Sequence, residues 1–386
     1  MTSGPVPIRV MILVDKFDYH GSYINGPSQY FSWIVPRIDS ERFQPFLCSL
    51  RSAGKSDVIF RKEGVGVEYF GLNKYDPRTL ERIVQFVRRR EINVLHLTGY
   101  GSTTFGRIAA KLCRKPAIVH EHWVDPGIGR VQRTLERFLS PWTDWAIAIS
   151  DTAKRFLVEK KHVRADRIEV IPNGIPLERF SNLPDEAGSK KREELGIPPE
   201  SPIIGIVGMF HEIKGHRYFL EAAAIVARSF PDAVFLIVGD GELREDLERR
   251  VRENPLLKNV RFLGQREDVP EILRAMDVYV CASISETAPL SVLEAMASGR
   301  AIVTTDCGGP GEMIRDGWCG FVVPVGDSGA IAERIAAFLG DASQRKSFGW
   351  NATQEVMRYD IRATVTKLES LYEKAVSPSR IPESGT

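Results

Sequence analysis

The sequence predicts an α/β protein of two doubly wound, parallel-sheet domains. Three observations lead there. Short continuous apolar runs alternate with helical patterns along most of the chain, as expected of strands buried on both faces under covering helices. The series is interrupted once, by a polar Pro- and Gly-bearing stretch at 181–201, and then restarts. A length of 386 residues, at roughly 100–200 per domain, is enough for two separate cores.

The first series opens with Ile8–Val14 and continues with apolar runs at 46–50, 67–70, 94–97, 117–120, 145–149 and 168–171. Helical patterns at 78–90 and 103–113 lie between them. A further helix begins at Ser150 or Asp151, either of which can accept its free backbone N–H groups. Within the interruption, 190–196 predicts a short helix. The second series has strands at 203–207, 234–238, 260–263, 278–281, 301–304 and 321–323. Its helices fall at 214–229, 242–253, 269–276, 290–297 and 330–339. Asp360 caps a last helix in which Ile361, Val365, Leu368, Tyr372 and Val376 recur at three- and four-residue spacing. The expected division is a first domain at 1–180, a linker segment at 181–201, a second domain at 202–358, a terminal helix at 359–376 and a disordered tail at 377–386.

Charge and cysteine usage exclude several classes. Fifty-two Lys and Arg against 50 Asp and Glu leave a formal charge of +2, too small a surplus for a strongly basic nucleic-acid binder. The five cysteines (Cys48, Cys113, Cys281, Cys307, Cys319) are scattered and form no C-x-x-C pair, which argues against a disulfide framework or zinc module. No basic stretch leads into an apolar secretion signal, and no run approaches the roughly 20 apolar residues of a membrane span. A cytoplasmic protein is expected, with a peripheral contact to the inner face of the membrane as an additional expectation.

Four constellations can carry chemistry. In Ser285–Ala297 (SETAPLSVLEAMA), Glu286 ends a strand and Glu294 lies one turn into a helix, with Leu290 and Ser291 between them. Backbone N–H groups at that helix N-terminus suit a phosphate, and a carboxylate beside it can accept sugar hydroxyls. Equally, Glu286 can be a cap and Glu294 a solvated helix residue. In Gly205–Gly215, a buried strand ends in a loop that places Lys214 where ligands of open α/β sheets bind. The loop Gly26-Pro27-Ser28-Gln29 follows the first strand and lacks the G-x-G-x-x-G spacing of a dinucleotide site, so its glycine serves a turn or a close ligand approach. His120-Glu121-His122 ends a strand, where residues two apart face one side, toward the cleft between domains. H-x-H beside a carboxylate can suggest a metal, but neither a third ligand cluster nor a D-x-D accompanies it. No metal site is expected, and a hydrogen-bonding, positioning or structural histidine is. The basic runs Arg88–Arg90 and Arg130 to Arg137 are either solvated faces or a membrane-surface or anionic-acceptor patch.

In this order along one chain, these pieces resemble the retaining glycosyltransferases of the GT-B fold, glycosyltransferase family 4. The resemblance rests on the E-x7-E element Glu286 and Glu294, and on the G-x-x-x-x-x-K-G loop Gly208 to Gly215. It rests also on I-P-N-G-I at 171–175, which contains Asn173, on F-L-G-Q at 262–265, and on G-G-P-G-E at 308–312. It implies two Rossmann-like domains facing a cleft, with the final helix crossing back to the first. It implies a metal-independent transferase, without a cofactor, that moves a sugar from a nucleotide-diphosphate donor to a hydroxyl of a carbohydrate, lipid-linked or small-molecule acceptor.

By that resemblance Glu286 holds hydroxyls of the transferred sugar, Glu294 holds the ribose, and Lys214 with the Leu290 and Ser291 amides neutralises the leaving diphosphate. Gly26 lets the first-domain loop approach the phosphates. His122 is the cleft histidine, with His120 beside it, and Gln265 and Arg266 reach the base. Two positions depart from the family: Met209 replaces an Arg, for which Arg130 or nothing substitutes, and Thr287 stands where the family's E-G-x-P has its Gly. Loop residues Tyr19, Tyr23 and Tyr100 offer stacking surfaces for an acceptor. The alternatives within this fold are a phosphorylase or phosphate-dependent synthase, and a protein that binds a nucleotide sugar without transferring it.

Overall fold

The computed structural model describes residues 6–18, 26–73, 76–124, 127 and 129–377. Among them, two all-parallel sheets are formed. The first comprises β1 (Ile8–Val14), β2 (Phe43–Ser49), β3 (Val67–Tyr69), β4 (Val94–Thr98), β5 (Ala117–Glu121), β6 (Trp145–Ala148) and β7 (Ile168–Val170), in the order β3-β2-β1-β4-β5-β6-β7. The second comprises β8 (Ile203–Val207), β9 (Val234–Val238), β10 (Val260–Gly264), β11 (Val278–Cys281), β12 (Ala301–Thr305) and β13 (Phe321–Val323), in the order β10-β9-β8-β11-β12-β13. In each sheet the winding reverses once, beside β1 in the first and β8 in the second. At such a reversal the connections on either side leave in opposite directions and open a crevice at the strands' C-terminal ends.

The strands are buried on both faces, as their uninterrupted apolar runs require. β4, β5, β9 and β12 are buried at every residue. β2 starts three residues earlier than its apolar run, at Phe43, and includes Pro45. Proline is tolerated there because β3 pairs only with Leu47–Ser49, so the Pro45 position faces an open edge on that side.

Other elements shift for local reasons. Gly26 is the first residue of a helix, Gly26–Ile34, and not part of a loop before it. Ser150, not Asp151, caps the Asp151–Glu159 helix, its hydroxyl accepting the Ala153 N–H at 3.1 Å. The linker helix is Ala187–Glu194. Lys214 lies on a separate short turn, Glu212–Lys214, and the helix proper is His216–Ser229, because Gly215 between them is left-handed. A helix at Ala342–Glu355 carries no clear apolar stripe and is not evident from periodicity. Tyr19, Tyr23 and the tail beyond Ser377 lie outside the described residues.

The Ile361–Val376 helix returns to the first domain, packing on Gly26–Ile34, β1 and β4. Asp360 caps it through the Arg362 N–H at 2.8 Å. Leu368, Leu371 and Tyr372 are fully buried, each adding roughly 2 kcal/mol of apolar burial. Glu369 pins the far end, accepting from the Asp39 N–H at 2.8 Å and from Arg42 at 3.3 Å. The crossing is anchored where Ile175 exchanges backbone hydrogen bonds with Tyr359 and Ile361, at 3.0 and 3.1 Å.

Candidate active site

Lys214 and Glu286 meet because they leave neighbouring strands of the second sheet. β8 and β11 pair directly, so the loops after them share one edge. The turn carrying Lys214 is pressed onto the β11 exit by Gly215, which has φ +64°; a Cβ there would lie 1.9 Å from the Ala282 carbonyl oxygen. Only glycine meets both demands. Lys214 Nζ then pairs with Glu286 Oε1, and the Ser283 hydroxyl donates to the same oxygen at 3.3 Å. Burial pulls the Lys214 ammonium down, but the Glu286 carboxylate more than reverses this, leaving its pKa above the ordinary value.

Glu286 is held by backbone as well. Its N–H donates to the Cys307 carbonyl at 3.1 Å and its carbonyl accepts from Gly309 at 2.9 Å. The approach is close enough that a Cβ on Gly309 would fall 1.8 Å from the Thr287 oxygen. After Pro289, Leu290 and Ser291 open the Leu290–Ala297 helix, whose first-turn N–H groups have no intrahelical carbonyl to bond. Ser291 Oγ accepts from the buried Tyr279 hydroxyl at 2.9 Å. Glu294 is partly buried on this helix, and desolvation pushes its carboxyl up to about 7 against a smaller opposing pull from Arg179.

On the first-domain side, His120 and His122 stack with ring centroids 3.9 Å apart, and Tyr30 stands edge-on to His122 at 4.9 Å. Burial holds the His122 ring down to about 3, so it is neutral at ordinary pH. His120 faces inward rather than into the cleft. Its Nδ1 lies 2.8 Å from His96 Nε2, and His96 Nδ1 lies 2.7 Å from the Tyr372 hydroxyl on the crossing helix. This chain from β5 through β4 to the last helix is invisible in sequence, since its members are 24 and 276 positions apart.

The remaining predicted residues are dispersed. Met209 is partly buried in the loop after β8, and Gln265 is partly buried just after β10. Arg266 makes a two-pronged pair with Asp268 at 2.7 and 2.6 Å and reaches Glu194 of the linker helix at 3.2 Å. Gly26 is exposed, with nothing within 4 Å of a Cβ built there. Arg130 is exposed at the start of the Arg130–Leu139 helix, and Tyr100 opens the Tyr100–Cys113 helix. Among the described residues, no group of three or more His, Cys, Asp or Glu is arranged to hold a metal ion.

Three ties bind the loop around Glu286 to the first domain. The Val124 N–H donates to the Thr287 hydroxyl at 3.3 Å, which sets the segment after His122 beside the residue after Glu286. Thr287 is 4% exposed, so its hydroxyl is spent on this tie. The Asn173 amide donates to the Ala288 carbonyl at 3.2 Å. Glu312 reaches across to the Asp151–Glu159 helix: its carboxylate accepts from the Asp151 and Thr152 N–H groups, each at 2.8 Å, and from the Thr152 hydroxyl at 2.7 Å. It is a second-domain carboxylate capping a first-domain helix. Glu312 stands in the G-G-P-G-E motif, and no local signal names a partner 160 residues away.

Residues 188–355 match the family described as Glycosyl transferases group 1, and residues 25–179 match Glycosyltransferase Family 4. The chain is 29% identical over 308 residues to a UDP-Gal:alpha-D-GlcNAc-diphosphoundecaprenol alpha-1,3-galactosyltransferase of Escherichia coli, covering 77% of this chain and 79% of that one. It is 28% identical over 316 residues to a phosphatidyl-myo-inositol mannosyltransferase of Mycobacterium leprae, covering 80% of each. Anabaena HepE, solved in complex with UDP, superposes with a TM-score of 0.82 at 21% identity over 95% of this chain and 100% of that one.

Proposed function

The chain belongs to the group 1 and family 4 glycosyltransferases of the GT-B fold, which transfer a sugar from a nucleotide sugar to an acceptor, and from that premise we propose a retaining, metal-independent enzyme acting on a lipid-linked acceptor. The observation that carries the reading is the Lys214–Glu286 pair beside the N-terminus of the Leu290–Ala297 helix. As the glycosidic bond breaks, negative charge grows on the departing diphosphate. Lys214 and the Leu290 and Ser291 N–H groups are a preorganised cation and dipoles for that charge. Glu286, already held by Ser283 and the Gly309 amide, is oriented to accept sugar hydroxyls, and Glu294 to accept those of the ribose.

In the retaining course the acceptor hydroxyl attacks from the face the diphosphate leaves. The departing phosphate oxygen takes its proton, so no protein nucleophile is needed. His122, neutral through burial, serves by hydrogen bonding rather than by carrying charge. Gln265 is assigned to the base, with Met209 lining the loop beneath the phosphates. A uridine nucleotide is the donor of choice, given the UDP-dependent relative and the UDP-bound structural neighbour. The diphosphoundecaprenol and phosphatidyl-inositol named for the two relatives support an acceptor carried on a lipid.

Thermal-shift screening against nucleoside diphosphates and their sugars, in chelator, tests the donor site directly. Selective stabilisation by one base, lost in Lys214→Ala and kept in chelator, is expected. Product anomer determined by NMR then reads the stereochemistry: an inverted anomer overturns retention, and stabilisation that needs a divalent cation overturns metal independence.

A further inference from the structure

The second sheet brings together two cysteines that the sequence keeps apart. Cys281 is the last residue of β11, and its partner across the sheet is Thr304 of β12. The chain beyond β12 turns back at once, with the Cys307 N–H donating to the Thr305 carbonyl at 2.9 Å. The buried Thr305 hydroxyl donates to the Ser283 carbonyl at 2.6 Å, which ties the two strand exits side by side. The Cys281 and Cys307 thiols meet there through a hydrogen bond between their side chains. Cys281 is buried and Cys307 half-buried.

A thiol that donates to a neighbouring sulfur eases the loss of that neighbour's proton. The Cys307 hydrogen bond holds the Cys281 thiol below its ordinary value in spite of burial. Cys307, which keeps its proton, is pushed up. The thiolate is the reactive form of cysteine, and a thiolate with a second thiol at hand is the arrangement that oxidation closes. The pair also borders the transfer machinery, since charge on either sulfur favours the Lys214 ammonium.

We propose that Cys281 and Cys307 form a reversible oxidation site that closes to a disulfide and displaces Glu286. The oxidant is hydrogen peroxide. The Cys281 sulfur attacks a peroxide oxygen, so that an S–O bond forms and the O–O bond breaks; the leaving hydroxide takes the Cys281 proton and departs as water. The Cys307 sulfur then attacks the sulfenic acid, so that the S–S bond forms and the S–O bond breaks; the second water carries the Cys307 proton. Two thiols lose two electrons, peroxide gains them, and two waters result. In a reducing compartment such a bond is transient, as a sensing disulfide must be.

Both cysteines support Glu286. The Cys307 carbonyl accepts the Glu286 N–H at 3.1 Å. The Cys281 thiol donates to the Ser283 hydroxyl at 3.6 Å, and that hydroxyl donates to Glu286 Oε1 at 3.3 Å. Drawing the two sulfurs to covalent distance removes the thiol donor and pulls the carbonyl with it. A misplacement of about 1 Å at a reacting centre can cost on the order of 100-fold in rate, so the oxidised chain should turn over slowly. The disulfide itself goes beyond the transferase reading; the loss of turnover rests on it.

The test treats the reduced full chain with hydrogen peroxide in chelator. Alkylation under denaturing conditions should count five free cysteines before treatment and, with two of them joined, three after it. Peptide mapping should join Cys281 to Cys307, and dithiothreitol should restore all five. Release of nucleoside diphosphate from the donor should fall about tenfold or more on oxidation and recover with dithiothreitol. Cys281→Ser and Cys307→Ser should each keep their own untreated rate after peroxide, whereas Cys319→Ser should be as sensitive as the unaltered chain. Melting curves identify a variant that fails to fold, and the cysteine count on the unaltered chain needs no variant. The proposal is overturned if peroxide leaves five free cysteines, if other cysteines are joined, or if dithiothreitol does not reverse the bond. It is equally overturned if the bond forms and the rate is unchanged, or if the two serine variants remain sensitive. A chain that transfers no sugar would still give the cysteine count, so the two readings fail separately.

Discussion

Replacing Glu312 with Ala removes an acceptor of three hydrogen bonds that joins the two domains. Loss of a helix N-cap costs about 0.5–2 kcal/mol, and loss of a negative charge at a helix N-terminus about 0.3–1 kcal/mol. Asp151 is exposed, so water can take over part of the work once the interface opens. The net expectation is about 1–2 kcal/mol, or about a 5- to 30-fold fall in the population with the cleft held as described. The same segment hydrogen-bonds Glu286 through Cys307 and Gly309, so the loss should appear in turnover. The assay follows release of nucleoside diphosphate from the donor, alongside nucleotide binding by thermal shift. Turnover number should fall 5- to 30-fold with nucleotide affinity unchanged, since Lys214 and the Leu290–Ala297 helix stay in place. Glu312→Gln, which keeps one carbonyl acceptor, should recover part of the rate, and Thr152→Val should cost less than either. Undiminished turnover in Glu312→Ala, or a loss confined to nucleotide binding, would refute the reasoning.

Further predictions concern the site and its supports. On the proposed ribose role of Glu294, whose carboxyl is raised to about 7, the ionised form is the stronger acceptor, so donor affinity should fall by up to about tenfold from pH 8 to pH 6; Glu294→Gln should bind more weakly but without that slope. The same raised carboxyl favours the folded state below its ordinary range near 4.5, an advantage lost as pH rises through about 7, so Glu294→Gln should flatten stability against pH over that window. Gly215→Ala places a Cβ against the Ala282 oxygen in left-handed backbone; melting should show a loss of about 2 kcal/mol or more, with nucleotide stabilisation abolished as Lys214 shifts. Tyr372→Phe leaves His96 Nδ1 without its buried partner, and denaturant titration should show about 1–3 kcal/mol less stability, with nucleotide binding retained.

Much of the architecture is written locally. A strand buried on both faces must be a short apolar run, and a helix that covers it must repeat every three or four residues. The thirteen apolar runs therefore locate the strands, and the Ile361 to Val376 spacing locates the last helix. Glu286, Glu294 and Lys214 were legible for a similar reason: strand-to-helix junctions at a sheet's C-terminal edge are where phosphates bind, and each lies at or just beyond such a junction. Errors fell where one residue's geometry overrides the pattern. Gly215 breaks a helix that periodicity runs through from 214, and β3's shortness admits Pro45 into β2.

Contacts between distant segments could not be read in this way, because no local force specifies them. That Lys214 faces Glu286 across 72 positions follows from the pairing of β8 with β11. That His120 turns inward follows from His96 and from Tyr372, brought there by the crossing helix. Arg266 spends its guanidinium on Asp268 and Glu194 because the linker helix lies beside it. The Arg130–Leu139 helix is a further case: Arg107 and Lys161, arriving from other elements, hold Glu136 buried beside Leu139, while Val131 and Phe138 stay exposed. Sequence determined which segments are strands and helices, since that depends on neighbours along the chain. Tertiary structure decided which charges meet and which faces stay open, since Coulomb energy and burial depend on distance through space.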